Sequence, residues 1–405
     1  MATFQTSDDA LFITEYNNKT LLPIIKMDAP YTNSLTETPF QMGQGTDVYF
    51  RGRNPLAAVS GTLLAGTEMT DPTPVAWSGR KIKAQLYRLH NSINASSAER
   101  QVSFDMMRQD RDAVAANIIE SMELHNRTFI DPYLVHTRGD WDTTSPYQGE
   151  YAATSAGTTT TIISTTLDDA GGNANDYWGG NSTYGYVMPI TLTDPNYGQG
   201  RIVSDFVTAT DTATVSAAWT TATASGQRYI FCIGTGLTTG DKLSLATIAK
   251  VNAVFDHLHI KKQFKWPTAN GYGFRGFLSG YDHYDITQDS NYVSFNVNNS
   301  KSPAFMQYRV DNIYNNDIFV TDVDYRESAA GVYSATGAVY NSTFLGKGAG
   351  YRVPLNKPKI VVVNKPDSSN IAGYKTWITW TTDYACAPVV GTAGIVVLSV
   401  PTGLL

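Results

Sequence analysis

Between Ser96 and Asn126 the chain reads SSAERQVSFDMMRQDRDAVAANIIESMELHN, without one glycine or proline, although 33 glycines and 17 prolines punctuate the whole. Both residues disfavour helix interiors, so a stretch free of them permits a long helix. Ser96 followed by Glu99 has the pattern of a capping box and predicts the helix start. Phe104, Met107, Val114, Ile118 and Met122 recur at steps of three, four or seven and predict its buried face. Asp105, Arg108, Asp110, Arg111, Asp112 and Glu120 fall on the other faces, with Arg108 and Asp112 as an i,i+4 pair. At 1.5 Å per residue such a helix is about 45 Å long, beyond the usual globular length of about three turns. In a chain that is otherwise β-patterned, a helix of this length spans something.

The β pattern surrounds it. DVYFRG near Thr46, continuing through LAAVSGTLLAG, and WSGRKIKAQLYRL form two strand-like runs. In the second, Ile82, Ala84 and Leu86 alternate with Lys81, Lys83 and Gln85. The tip between them carries Gly66, Pro72, Pro74 and Gly79, which strand interiors do not tolerate. The expectation is a long hairpin, barely stable alone, that either leans on another surface such as a second subunit or is an internal hairpin of an ordinary sheet. Residues 1–45 show no sustained period and read as an arm, either flexible or lying on a neighbour.

From about 140 the chain turns rich in Thr, Ser, Gly and aromatics and poor in Lys and Arg. Short Thr-rich runs between turns predict an inserted antiparallel β module, with Trp178, Phe206 and Trp219 arguing against disorder. A second helix is expected over Leu245–Leu258, with Leu245, Ile248, Val251, Phe255 and Leu258 on one face. Phe274 to Val310 and Ile318 to Val323 return to strands, and the tail holds continuous apolar runs typical of buried central strands.

Composition narrows the chemistry. At 405 residues the chain predicts two or three compact units. Charged residues are 16% of it, against about 25% in ordinary globular proteins. That suits a surface largely covered by partners or built from β-structure. The formal net charge of −6 argues against nucleic-acid binding by phosphate neutralisation. Cys232 and Cys386, the 2 cysteines, are expected as reduced, buried thiols, with one bridge as the alternative. The N-terminus lacks a basic start followed by an apolar run, and no apolar stretch approaches about 20 residues. The expectation is a soluble protein made in the cytoplasm.

No phosphate-binding loop, nucleophile elbow or H-E-x-x-H motif is present. His257 and His259 are better placed for a helix dipole than for a metal. Asp282, His283 and Asp285 in GYDHYDI have no matching nucleophile, and an aromatic-flanked polar turn is the simpler reading. Asp168, Asp169, Asn173, Asn175 and Asp176 offer oxygen ligands but lack the EF-hand order and its closing Glu. Catalytic, cofactor and metal residues are therefore expected to be none. Lys81 and Lys83 read as solubilising or edge-protecting residues on a strand.

The order of these parts resembles the major capsid proteins of tailed double-stranded DNA phages, with the Hong Kong 97 type α+β fold. LLAGTEMTDPTPVAWSGRKIKAQLYRL is similar to a segment of the phage N four capsid family, followed there by the long helix. DKLSLATIAKVNAVFDHL, IYNNDIFVTD, FLGKGAG and the aromatic ITWTTDY tail continue the likeness in order. GFLSGYDHYD stands where that family has a His-Pro-containing strand. The Thr-rich stretch is longer than the fold requires, which implies a surface insertion.

The resemblance implies an N-terminal arm (1–45), an extended loop (46–90) lying across a neighbouring subunit, and a spine helix (96–126). It implies a peripheral domain (91–139 and 346–405), an insertion (140–239) and an axial domain (240–345) around fivefold and sixfold centres. Glu68, Met69, Asp71, Pro72, Trp77, Lys81 and Lys83 become the expected inter-subunit contacts. Some relatives cross-link Lys to Asn, a part that Lys81 or Lys83 could take. The implied role is a self-assembling icosahedral shell of pentamers and hexamers in the virion, without catalysis. It would enclose DNA without reading its sequence, alongside scaffolding, portal and decoration proteins and with no membrane. The alternatives are a β-rich tail or receptor-binding protein, and an enzyme on polysaccharide using the 24 Tyr and 7 Trp as stacking platforms.

Overall fold

A computed structural model describes residues 30–39, 47–53, 79–96, 106–139, 148–167, 177–178, 185–191, 194–233, 237, 240–262, 264–265, 272–290, 292, 312–314, 316–321, 326–328, 339–363 and 375–400.

Among these residues two α/β layers and a β module share the chain. In the first layer a four-stranded sheet runs in the order β1 (Thr36–Glu37), β18 (Gly350–Val363), β19 (Lys375–Pro388) and β4 (Tyr87–Ser96). β1 is parallel to β18, and the other pairs are antiparallel. Helix α2 (Met106–Ile130) lies over the central strand, where Val114 and Ile118 pack with Ile378 and Trp380. Asn117 accepts from both Trp380 Nε1 and Asn91 Nδ2 at 3.0 Å, tying the helix to two strands.

Ser96 is the last residue of β4, opposite Lys375 on β19, and the Glu99 half of the expected capping box lies outside the described residues. At its other end α2 runs past Asn126 to Ile130. Asp131-Pro132 then closes it in a single 3-10 turn, because proline cannot continue the hydrogen-bond ladder.

Hairpin strands β2 (Asp47–Arg53) and β3 (Gly79–Gln85) pair from Asp47 with Gln85 to Arg53 with Gly79. Val48, Phe50 and Ala84 turn toward Val353, Ala385 and Ala387, while Tyr49, Lys83 and Gln85 face outward. The root of the hairpin therefore leans on the four-stranded sheet of its own chain. Two-residue alternation supplies the apolar face that makes this possible.

The second layer is an eight-stranded sheet. Its path is β14 (Asn312–Ile313), β15 (Asn316–Val320), β13 (Tyr272–Leu278), β17 (Val339–Leu345), β20 (Gly394–Ser399) and β5 (Val135–Arg138). β12 (Phe264–Lys265) joins β13, and β16 (Arg326–Ser328) joins β17. β17 and β20 are buried along their whole length, matching the continuous apolar run GIVVLS of the tail. β5 and β20, from the segments 91–139 and 346–405 expected to form one peripheral unit, join this second sheet. They pair in parallel from Val135 with Ile395 to Arg138 with Leu398.

Helix α3 (Leu245–His257) covers the second sheet with the five apolar residues expected of it. Its N-cap is Ser244, which accepts from Thr247 N. Residues 280–288, expected within a run of strands, are helix α4 (Gly280–Gln288). Ser279 accepts from Asp282 N at 3.0 Å and donates to the Asp282 carboxylate at 3.0 Å, a reciprocal cap that overrides the aromatic, strand-like composition.

The Thr-rich insert is a six-stranded, barrel-like β module. Its strands run β6 (Gln148–Ala152), β11 (Arg228–Ile233), β8 (Gly185–Pro189), β9 (Arg201–Val207), β10 (Thr212–Val215) and β7 (Thr161–Ile163), all antiparallel. Just beyond β6, Thr154 N donates to Ile163 O at 2.9 Å and Ser155 bridges Ile163, joining the first strand to the last. Trp178, Phe206, Trp219, Tyr229 and Phe231 fill the interior. Gly185 is required where its strand meets Trp178, since a Cβ there would stand 1.4 Å from the Trp178 carbonyl oxygen.

Strands β8 and β11 are buried on both faces. Val187, Tyr229, Phe231 and Ile233 point into the barrel, while Tyr186, Met188 and Ile230 enter the second layer's core beside Val135, Ile248 and Phe274. Arg138 on β5 makes a bidentate ion pair of 2.8–2.9 Å with Asp241, in the chain leaving the barrel. The insert is thus packed into the body of the molecule.

Candidate assembly surfaces

Of the expected contact residues, Glu68, Met69, Asp71, Pro72 and Trp77 lie outside the described residues, as does Phe104 of the spine stripe. Lys81 stands on β3 opposite Arg51. Lys83 is exposed and borders an open cleft of about 390 Å³ between the hairpin root and the barrel. Tyr87, Phe129, Tyr133, Gln199 and Arg201 also line that cleft. Arg201 donates to the carbonyls of Gly200, Ala217 and Ala218 and to Gln199 Oε1, and burial lowers its pKa. Among the described residues no carboxylate or histidine stands on the cleft wall. Its Cys386 thiol is pushed up to about 12 by burial, as is that of Cys232, and both cysteines are free. Neither is a nucleophile at neutral pH.

Met107 lies in the first turn of α2. Val114, Ile118 and, partly buried, Met122 face the peripheral sheet. The C-terminal third of the helix carries a polar face that sequence reasoning passed over, because Glu123, Asn126 and Arg127 read as solvent-facing residues. All three are buried. They hold helix α1 (Pro30–Ser34), which falls within the expected N-terminal arm. Tyr31 N and Thr32 N donate to Glu123 at 2.9 and 3.0 Å, and Thr32 Oγ1 donates to the same carboxylate at 2.7 Å. Asn126 Nδ2 donates to Thr32 Oγ1 at 2.9 Å, and the Arg127 guanidinium lies 5.3 Å from the Tyr31 ring centroid. Asp131 then accepts from Tyr31 on one oxygen at 2.7 Å and from Thr343 on the other at 3.1 Å. One short segment therefore joins the spine helix to the second sheet through buried polar contacts. Its only sequence signal was the i, i+3, i+4 spacing of Glu123, Asn126 and Arg127.

The acid–base candidates are enclosed. Asp282 accepts from Ser342 and Ser399 at 2.6 Å and from Ser279 at 3.0 Å, pinning α4 to β17 and β20. Burial pushes its pKa up to about 6 against the opposing pull of the three hydroxyls. Asp285 is buried too, and burial lowers the pKa of His283. With every Asp282 contact internal and its side chain fully covered, no substrate reaches it. His257 ends α3 and His259 follows in a left-handed conformation, both exposed. Among the described residues no group of three or more His, Cys, Asp or Glu is placed to hold a metal ion. The Asp168–Asp176 cluster lies outside them. No helix among the described residues is long and apolar enough to cross a membrane.

A long helix over an antiparallel sheet, a hairpin rooted at that sheet, and a second mixed sheet flanked by helices define the Hong Kong 97 type fold of tailed-phage capsids. The likeness extends over 95% of this chain and 94% of the other for the capsid of Ralstonia phage GP4, at 9% identity and a TM-score of 0.53. For the cyanophage Pam1 capsid the coverage is 96% of both chains, at 10% identity and a TM-score of 0.52. No protein-family model and no curated protein matches the chain.

Proposed function

We propose that this chain is the major capsid subunit of a tailed double-stranded DNA phage, assembling through pentamers and hexamers into an icosahedral shell. The observation that carries the reading is the fold likeness to two phage capsids over nearly the whole chain, barrel included. Three features support it. The hairpin root is anchored while its outer face, with Tyr49 and Lys83, remains exposed. The acid–base candidates are sealed structural groups, which suits a role without catalysis. The net charge of −6 suits a container that confines DNA without reading it.

Scaffolding, portal and decoration proteins are the partners such a shell takes, and the virion is its place. Residues 46–90 would act as the extended loop, with Glu68, Met69, Asp71, Pro72, Trp77, Lys81 and Lys83 at the neighbouring subunit. Electron microscopy of the expressed protein, with and without a scaffold, tests the reading. Closed shells are expected. Trimeric fibres, or a stable monomer that forms no shell in either condition, would overturn it.

A further inference from the structure

We propose that the distal half of β18, Lys359–Val363, is a strand-pairing edge through which one copy of this chain binds another inside the shell, an inference that rests on the capsid reading. β18 is the outer strand of the peripheral sheet. On one side it pairs with β19 from Gly350–Pro388 to Val363–Trp377. On the other side β1 covers only Tyr351 and Arg352, with Thr38 N donating to Arg352 O at 3.0 Å. Beyond that point no described residue pairs with the outer side of the strand.

The uncovered edge has two chemically different halves. The proximal half carries Pro354 and Pro358 and two irregularities of register, between Pro354 and Asn356 and between Asn356 and Lys359. Proline has no N–H to offer an incoming strand, and bulges twist an edge away from pairing. The distal half has neither device. Lys359 to Val363 is in regular register with Thr381 to Trp377, and Ile360, Val361, Val362 and Val363 are uncharged and β-branched.

Ile360 and Val362 stand opposite Trp380 and Ile378 and so share their face of the sheet. The helix covers that face over β19, where both residues are fully buried, but leaves Ile360 39% and Val362 38% exposed on β18. An apolar, β-branched edge whose one charge, Lys359, stands at its start is a pairing site in waiting. A sequence that blocks half of one strand and leaves the other half open distinguishes the two halves.

The size of the open half indicates its occupant. Five residues pair along about 17 Å, and the strip this covers is far smaller than the ~800 Å² per partner of a stable independent complex. Such an edge does not hold a free partner. It contributes where other contacts already hold the neighbour at high effective concentration, the situation of a second subunit in the same shell. Addition of a strand also needs no charge complementarity, which the uncharged Ile360–Val363 run does not provide.

Hydrogen exchange on peptides spanning 359–363, compared between assembled shells and dissociated subunits, reads the edge directly. At least tenfold slower exchange in shells is expected. The double variant Ile360→Lys, Val362→Lys places charges at exposed positions, so the subunit should melt as wild type while shell yield falls at least tenfold. Ile93→Lys on β4, at the opposite margin of the same face and 36% exposed, should assemble at wild-type yield. Equal exchange in shells and subunits, normal shells from the double variant, or an equal loss in Ile93→Lys would overturn edge pairing while leaving the capsid reading intact. Failure of the wild-type chain to form any shell would overturn both.

Discussion

Asp282 has three hydroxyl donors and no route to solvent, and that combination makes it a pH-sensitive structural group. Its pKa lies at about 6 in the fold, above the model-peptide value of 3.8, mainly because burial disfavours the anion; nearby Asp285 acts in the same direction. The stabilisation this proton brings is complete below the unfolded value and is lost as pH rises through about 6, roughly 3 kcal/mol in all. Asp282→Asn should flatten that part of the pH dependence, since an amide still accepts and the serine hydroxyls can rotate to accept from it. Denaturant melts at pH 4, 5.5 and 7 check this.

His125 works in the opposite sense. It sits among the Tyr87, Phe129 and Tyr384 rings, its Nε2 has no hydrogen-bond partner, and burial lowers its pKa to about 4. Its contribution is complete above the unfolded value near 6.5 and is lost as pH falls through about 4. His125→Phe should therefore stabilise the subunit more at pH 4.5 than at pH 7.5 in the same melts. Neither effect was legible in the sequence, because partial apolar burial of His125 and full enclosure of Asp282 come from strands far away in the chain.

At the scale of elements, the spine helix depends on one narrow stripe against one strand. Ile118→Asp places an unpaired carboxylate between Ile378 and Trp380 and should cost about 4 kcal/mol or more, seen as loss of soluble subunit or a strongly lowered melting point. The stripe of Val114, Ile118 and Met122 was legible from spacing. The burial of Glu123, Asn126 and Arg127 on the same helix was not, since their partners on α1 lie far away in the chain. The hairpin divides similarly: alternation marks the apolar face of β3, but that face is satisfied within the chain by Val353, Ala385 and Ala387. Because the root is anchored there, deleting residues 66–79 should leave a folded subunit, by circular dichroism and melting, that fails to form stable shells. Normal particles from that deletion would show that the tip makes no essential contact.

At the scale of the whole molecule the barrel is a structural part of the body. Its strands β8 and β11 supply Tyr186, Met188 and Ile230 to the core that also holds α3 and β13. Replacing residues 140–239 by a short linker should expose Val135, Ile248 and Phe274 and give insoluble protein, measured as the soluble fraction on expression. An insert merely tethered to the surface would be removable without that loss. Strands β8 and β11 look apolar all along for this reason: each packs against two cores, whereas β10 alternates because it packs against one.

Local regularities of this sequence determined that α2 and α3 are helical, which of their faces is apolar, and that the Thr-rich insert is β-structure rather than disorder. Those properties depend on neighbours a few residues apart, where spacing and backbone preference act directly. Tertiary structure alone decided that β5 and β20 join the second sheet, that Glu123, Asn126 and Arg127 are buried around α1, and that the barrel is packed into the body. In each case the deciding partner is distant in sequence, and the same residues in a different setting would have faced water.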